Sequence, residues 1–490
     1  MKMKALALGV FVGVAVSGFA ADIPPRPEQL VFPKLTFLVP KPEPLRASLP
    51  GGVSAYVARD PLLPLVTVQL YFRGGQYLEE KGKEGSAQLL GRLWRTGGAG
   101  ALGPQELDET LDFLAAQLTT SVGPTFSSVS LNLLSKDLDR GLQLLFDVAL
   151  RPRLDEARLA KAKEDLLADL KRRNDDTADI EMREWRRLLY GEDYWLNRLP
   201  TKASVEAITR EDLLALHQRI VNPANCVVAV AGDVDREALL KKLAAVFKQW
   251  KVKSAPAPPV PQPTHRPKPG VYLVHKPDVN QGRVSIGHLA AKRPFADEFA
   301  MTVANDILGG GGFTAWMMSR IRSDEGLAYG AYSTYTIGDL YPGTFRAAFQ
   351  SKSSTCARAA QLTLDLVAKL RRGEVSEQEL ATSKSSFIET FPRNFETKLR
   401  TVQLYAQDEL LGRPHSYWLT FRESIAKVDA AAVKEAAAKH IRPEDFVFLV
   451  VGNVEEILKG HPDFPEIQFA KFGPLVRLPL RDPLTLEPLP

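Results

Sequence analysis

Regular patterning begins near Gly51, where "GVSAYVARD" and "LVTVQLYFRGG" alternate apolar and polar positions like two antiparallel strands. A helix is predicted over "GKEGSAQLLGRLWRTGG", residues 82–98. Leu89, Leu90, Leu93 and Trp94 fall on one stripe, and Gln88, Gly91 and Arg92 occupy the other face at i, i+3 and i+4. "GPQELDETLDFLAAQL" has acidic residues in its opening turns and helical periodicity, and "PTFSSVSLNLL" alternates as a strand. "LDRGLQLLFDVAL" and the charged stretch 155–174 read as helices, and "AITREDLLALHQRIV" as another with Thr209 at its N-cap. The apolar run in "NCVVAVAGDVD" predicts a buried strand leaving through Gly232, followed by the helix "REALLKKLAAVFKQW".

Seven prolines in "SAPAPPVPQPTHRPKPG", 254–270, exclude a helix or a central strand and predict an extended linker. The order then starts again. "VYLVHKP" and "GRVSIGHLA" read as strands, "ADEFAMTVANDILGG" as a helix, "YGAYSTY" and "GTFRAAFQ" as strands, and "ARAAQLTLDLVAKLRRG" and "SEQELATSKSSFIETF" as helices. The closing run "RPEDFVFLVVGNVEEILKG" resembles "NPANCVVAVAGDVDREALLKK" of the first half, with Pro, an apolar strand, Gly, Asn or Asp, Val and a new helix in the same order. The fold class is therefore α+β: two homologous domains of about 200 residues, each a largely antiparallel sheet with helices on one face, joined by the proline-rich linker. The divisions are a leader at 1–20, an extended segment at 21–48, a first domain at 49–252, the linker at 253–270, a second domain at 271–472 and a tail at 473–490.

Lys2 and Lys4 precede an apolar run from Ala5 to Val16 and the small residues of "SGFAAD", a signal-peptide pattern with cleavage near Ala20. The run is short for a membrane span and no other is apolar enough, so an exported, periplasmic protein without a stable span is expected. A net charge of +5 over 490 residues, with bases scattered among acids, leaves no nucleic-acid footprint. Cys226 and Cys356 are far apart and read as buried thiols.

A self-contained catalytic site is missing from the motifs. No two of the seven histidines lie within four residues of each other, and there is no CxxC pair, no GxSxG elbow and no Walker loop. "LGGGGFT", 308–314, lacks the Lys-Ser/Thr that a phosphate loop needs and reads as a flexible turn.

The order and spacing of "LPLVTVQLYFRGGQYLEEKGKEGSAQLL", "SVEAITREDLLALHQRIVNPANCVVAVAGDVD", the proline linker and "ILGGGGFTAWMMSRIRSDEGLAYGAYS" resemble the pitrilysin/insulinase-type zinc peptidases, in particular the two-domain members similar to mitochondrial processing peptidase. The resemblance covers nearly the whole mature chain. In that family an H-x-x-E-H motif on the helix after the second strand supplies two zinc-binding imidazoles and a general base. Laid on this sequence, the motif falls on Gln88, Gly91 and Arg92, and the third ligand position falls near Asp169, with Asp165 the other nearby carboxylate. Gln88 has no imidazole, Gly91 no base, and Arg92 is cationic at any working pH. The resemblance therefore implies a degenerate zinc site and no metal or catalytic residue in this chain. The family's substrate-holding Arg and Tyr fall on Arg322 and Tyr329 in "RSDEGLAY", which implies substrate binding. A zinc site lost beside an Arg/Tyr pair kept implies a non-catalytic subunit of an exported heterodimeric zinc endopeptidase, inactive alone. Its partner would be a homologous chain carrying the zinc, and its substrates peptides bound by addition to a sheet edge. The alternative is a structural or assembly protein that kept the fold and has no part in proteolysis.

Overall fold

The structure, a computed structural model, describes Arg26, Gln29, Leu30 and residues 36–250 and 255–489. The expected leader and its cleavage site lie outside the described residues. All helices and strands of these residues belong to the compact body from Val39 onward.

Its first half runs β1 (Arg46–Leu49), β2 (Val53–Arg59), β3 (Leu65–Arg73), α1 (Ser86–Thr96), α2 (Pro104–Phe113), β4 (Gln117–Val122), β5 (Phe126–Leu134), α3 (Leu138–Leu150), α4 (Glu156–Lys171), α5 (Thr177–Tyr190), α6 (Lys202–Ala207), α7 (Arg210–Ile220), β6 (Cys226–Gly232) and α8 (Arg236–Gln249). The second half runs β7 (Gly270–His275), β8 (Gln281–Leu289), α9 (Glu298–Asn305), β9 (Ala328–Tyr335), β10 (Thr344–Lys352), α10 (Cys356–Arg372), α11 (Glu377–Thr390), α12 (Lys398–Leu411), α13 (Ser416–Ala426), α14 (Ala430–His440), β11 (Val447–Gly452), α15 (Val454–Lys459) and β12 (Leu475–Leu478).

The strands form two six-stranded sheets, in the orders β1-β2-β6-β3-β5-β4 and β12-β7-β11-β8-β10-β9. The repeat seen in the sequence is a repeat of topology. In both sheets a parallel pair (β2 with β6, β7 with β11) is followed by antiparallel pairing out to the far edge; at the near edge β1 joins β2 antiparallel, whereas β12 joins β7 parallel. Period-2 patterning explains the facing. On β3, Val66, Val68, Leu70 and Phe72 are buried while the intervening Thr67, Gln69 and Tyr71 are half-buried. The apolar face packs under the half's own helices, where the Phe72 ring meets those of Trp94 and Trp250.

The other face is covered from across the molecule. α5 of the first half packs on β8 and β11 of the second sheet, and α12 of the second half packs on β2, β3 and β6 of the first. The two helices occupy equivalent places in the repeat, so the exchange is reciprocal. It accounts for β6 and β11 being buried at every residue. The first core consequently extends to Val274, Val447, Leu449 and Val451 of the second half. Residues 255–269 carry no helix or strand and are held against the body: Tyr77 and Tyr194 donate to the carbonyls of Pro258 and Pro261, both at 2.9 and 2.8 Å respectively. The tail crosses back over the first half, where the Leu484 carbonyl accepts from Lys202 N (2.8 Å) and the Arg481 carbonyl from Asn174 (2.7 Å).

Candidate functional site

α1 is positioned by its ends and its stripe. Gly85 precedes it at φ 106°, a left-handed conformation that suits glycine. The buried Glu79 carboxylate accepts the backbone N–H groups of Gly85 (3.1 Å) and Ala87 (2.7 Å), satisfying donors the first turn leaves open. Burial pushes the Glu79 carboxyl up to about 7 against the pull of those two donors. Leu89, Leu90, Leu93 and Trp94 are buried, and Trp94 Nε1 donates to the Val148 carbonyl at 2.9 Å.

The opposite face of α1 borders a cavity of about 640 Å³, whose wall includes Gln88, Gly91, Arg92 and Asp169 together with Thr120, Ser121 and Val122 of the edge strand β4. Thr120 Oγ1 donates to the Gly91 carbonyl at 3.2 Å, holding β4 against the helix. Arg92 Nη2 lies 2.7 Å from Asp169 Oδ2, and Arg172 Nη2 lies 2.8 Å from Asp169 Oδ1. These hydrogen bonds from Arg92 and then Arg172 hold the Asp169 carboxyl below its ordinary range. Asp165, the alternative carboxylate, turns to Lys161 of its own helix at 2.8 Å.

Zinc, the metal the family resemblance implies, does not fit this donor set. A guanidinium sits on the only carboxylate of the four positions, Gly91 offers no side chain, and Gln88 offers one weak amide oxygen. Among the described residues no group of three or more His, Cys, Asp or Glu is placed to hold a metal.

Arg322 and Tyr329 are brought together elsewhere. The Arg322 guanidinium lies 4.8 Å from the centre of the Phe313 ring and 5.5 Å from that of Tyr329, between two exposed aromatics. In the glycine run beside them, Gly309 is a packing position, where a Cβ would lie 2.2 Å from Ser333 N of β9, while Gly312 turns in open space at φ 62°. Tyr329 is 91 % exposed and borders a second cavity of about 360 Å³, to which α5 contributes Glu181. Neither Arg322 nor Tyr329 borders the cavity at α1. α5 serves both, since Asp179, Met182, Arg183 and Arg186 line the first. A larger cavity of about 1500 Å³ lies against α3, α7 and α8 and holds none of the predicted site residues.

Two segments of the chain match family descriptions, residues 56–185 to the insulinase peptidase family M16 and residues 207–387 to the peptidase M16 inactive domain. The chain belongs to the M16 family. Within it, the chain is 24 % identical to the non-peptidase homolog YmxG of Helicobacter pylori, over 80 % of this chain and 90 % of the relative. Its fold is that of the peptidase M16 inactive domain from Pseudomonas fluorescens, with a TM-score of 0.74 at 23 % identity over 83 % of this chain and 97 % of that one. A chain of Complex III2 from Candida albicans also shares the fold, with a TM-score of 0.65 at 17 % identity over 84 % and 97 %. This M16 chain is thus similar to a non-peptidase homolog and has the inactive-domain fold. No helix of its described residues is long and apolar enough to cross a membrane.

The sequence reading missed the rest of the cavity wall. Asp179, Met182, Arg183 and Arg186 stand at i, i+3, i+4 and i+7 of α5, a spacing that was available as a signal. Phe313, the second aromatic on Arg322, carried none.

Proposed function

We propose that this chain is the non-catalytic, substrate-binding subunit of an exported heterodimeric zinc endopeptidase, paired with a homologous chain that carries the intact zinc site. The observation that carries the reading is the Arg92–Asp169 ion pair, 2.7 Å long, at the positions where the family resemblance implies zinc and its base. An ion pair cannot polarise a carbonyl as a Lewis acid or lower the pKa of a bound water. What the cavity offers instead is binding surface. β4 is the last strand of its sheet, and its edge borders the cavity with Thr120 and Ser121, so an extended peptide can add there as a further strand. Arg322 and Tyr329 present a planar guanidinium and an exposed phenol to a substrate backbone running between the subunits.

The test is peptide cleavage by the reconstituted pair. Arg322→Ala is expected to lower kcat/KM by about tenfold or more, a loss appropriate to one charge-assisted contact. Cleavage unchanged by the substitution would assign the chain to a scaffold role.

A further inference from the structure

The wall of the cavity at α1 carries more guanidinium than carboxylate. Arg92, Arg173, Arg183 and Arg186 line it, against Asp169 and Asp179. Asp169 is already held on both oxygens by Arg92 and Arg172. Asp179 is exposed and forms no ion pair among the described residues.

Among the described residues, two of the remaining three arginines, Arg173 and Arg186, have no carboxylate partner, and the third, Arg183, keeps one donor unused. Arg173 is half-buried and, among the described residues, donates only to neutral carbonyls, those of Pro200 (2.9 Å) and Pro483 (3.2 Å). Burial, then repulsion from Arg183 and Arg187, brings its pKa down to about 10. Arg183, 6 % exposed, pairs with Glu184 at 2.9 Å and donates to Asn174 Oδ1 at 3.0 Å, and its Nη1 has no hydrogen-bond partner among the described residues. Arg186 is half-buried, its pKa lowered by burial, and it forms no ion pair or side-chain hydrogen bond among the described residues. Crowding cations along one wall is unfavourable unless an anion completes the set.

We infer that this cavity is a carboxylate-binding site, with Arg186 the arginine that meets the ligand. The inference rests on the peptide-binding reading in one respect: the carboxylate is taken to be an acidic side chain of the bound peptide. The geometry favours that class. The edge of β4 runs along the same cavity, so a peptide added there projects alternate side chains toward α1 and α5. A guanidinium fork matches a carboxylate in two parallel hydrogen bonds. The position that would have polarised a scissile carbonyl in a zinc-bearing chain thus selects acidic residues in this one.

The experiment uses the full mature chain and two labelled, end-blocked peptides of extended sequence that differ only in a central Glu or Gln. Fluorescence anisotropy gives Kd for each. A parallel thermal-shift measurement uses glutarate, with sodium chloride at matched ionic strength as control. The expected result is binding about tenfold tighter for the Glu peptide, a preference that disappears in Arg186→Gln and is partly restored in Arg186→Lys. Glutarate is expected to raise the Tm of the wild-type chain and not that of Arg186→Gln, a comparison that also reports whether the variant is folded.

Equal affinity for the two peptides, or a preference for Gln, overturns the carboxylate site and leaves peptide binding standing. Stabilisation by glutarate through Arg186 with no binding of either peptide supports the carboxylate site and overturns the peptide reading. Failure of both ligands overturns both.

Discussion

Gly91 shows how a position that lost its chemistry still bears on stability. It stands inside α1, where glycine costs about 0.5–1 kcal/mol relative to alanine through the freedom it loses on folding. A Cβ added there meets Val122 N at 3.4 Å, an ordinary contact. Gly91→Ala is therefore expected to raise stability by up to about 1 kcal/mol, read as a higher urea midpoint at unchanged slope. A lower midpoint would show that β4 needs the glycine. Residue-level absences of this kind were legible without a structure: an H-x-x-E-H helix needs side chains that Gln88, Gly91 and Arg92 do not have. What replaced the metal was not legible. Arg92 and Asp169 are 77 positions apart on different helices, and only packing of α1 against α4 puts their charged groups 2.7 Å apart.

The elements divide by what their patterns face. α1, α3 and the strands packed beneath them stand out because an apolar stripe meets an apolar sheet face. α5 and α12 do not stand out in the sequence, for a physical reason. Each crosses to the other half's sheet and buries a mixed set, in which apolar residues such as Ile180 and Leu189 of α5 and Val402 and Leu410 of α12 are interspersed with polar side chains matched to hydrogen-bonding partners. On α5 the buried set includes Glu181, Arg183, Glu184 and Arg187, and Glu181 accepts from Ser285 at 2.6 Å and pairs with Arg346 at 2.9 Å. On α12, Gln403 donates to Gln69 at 2.8 Å, and Glu409 receives Arg46 and Ser54 (2.8 and 2.7 Å) and the Tyr56 hydroxyl. Burial works to raise the Glu409 carboxyl, but the hydrogen bonds from Arg46, Tyr56 and Ser54 outweigh it and hold the group at about 2. A carboxyl depressed on folding stabilises the protein above its unfolded pKa, and that stability is lost as pH falls toward the folded value. Glu409→Gln is accordingly expected to lower the unfolding free energy by about 1–3 kcal/mol near neutrality. The gap from wild type should narrow as pH is lowered from about 6 to about 3. A gap independent of pH would mean that the charge on Glu409 contributes nothing to the crossing.

At the scale of the whole molecule, the reciprocal crossing of α5 and α12 makes the two halves one body rather than two tethered domains. The proline-rich segment and the tail are laid along that body and held by hydrogen bonds from tyrosine, asparagine and backbone groups. The two-fold repeat was readable from the order of strands, helices and the closing Gly-Asp-Val and Gly-Asn-Val turns. That the repeats exchange helices was not, because sequence order alone places a helix on the nearest sheet. The consequence for function is that α5 borders both the cavity at α1 and the cavity at Tyr329, so both surfaces are fixed by one rigid element. A body with two open cavities and, among its described residues, no metal-holding cluster is what the proposed non-catalytic subunit requires. The most direct measurement of the proposed pairing is made on the purified chain, alone and mixed with an M16 homologue that carries an intact H-x-x-E-H motif: peptide hydrolysis together with bound zinc. The expected result is no hydrolysis and no stoichiometric zinc in the isolated chain, and cleavage that appears or rises on forming the pair. Stoichiometric zinc with hydrolysis in the isolated chain, or a mixture no more active than the homologue alone, would contradict it.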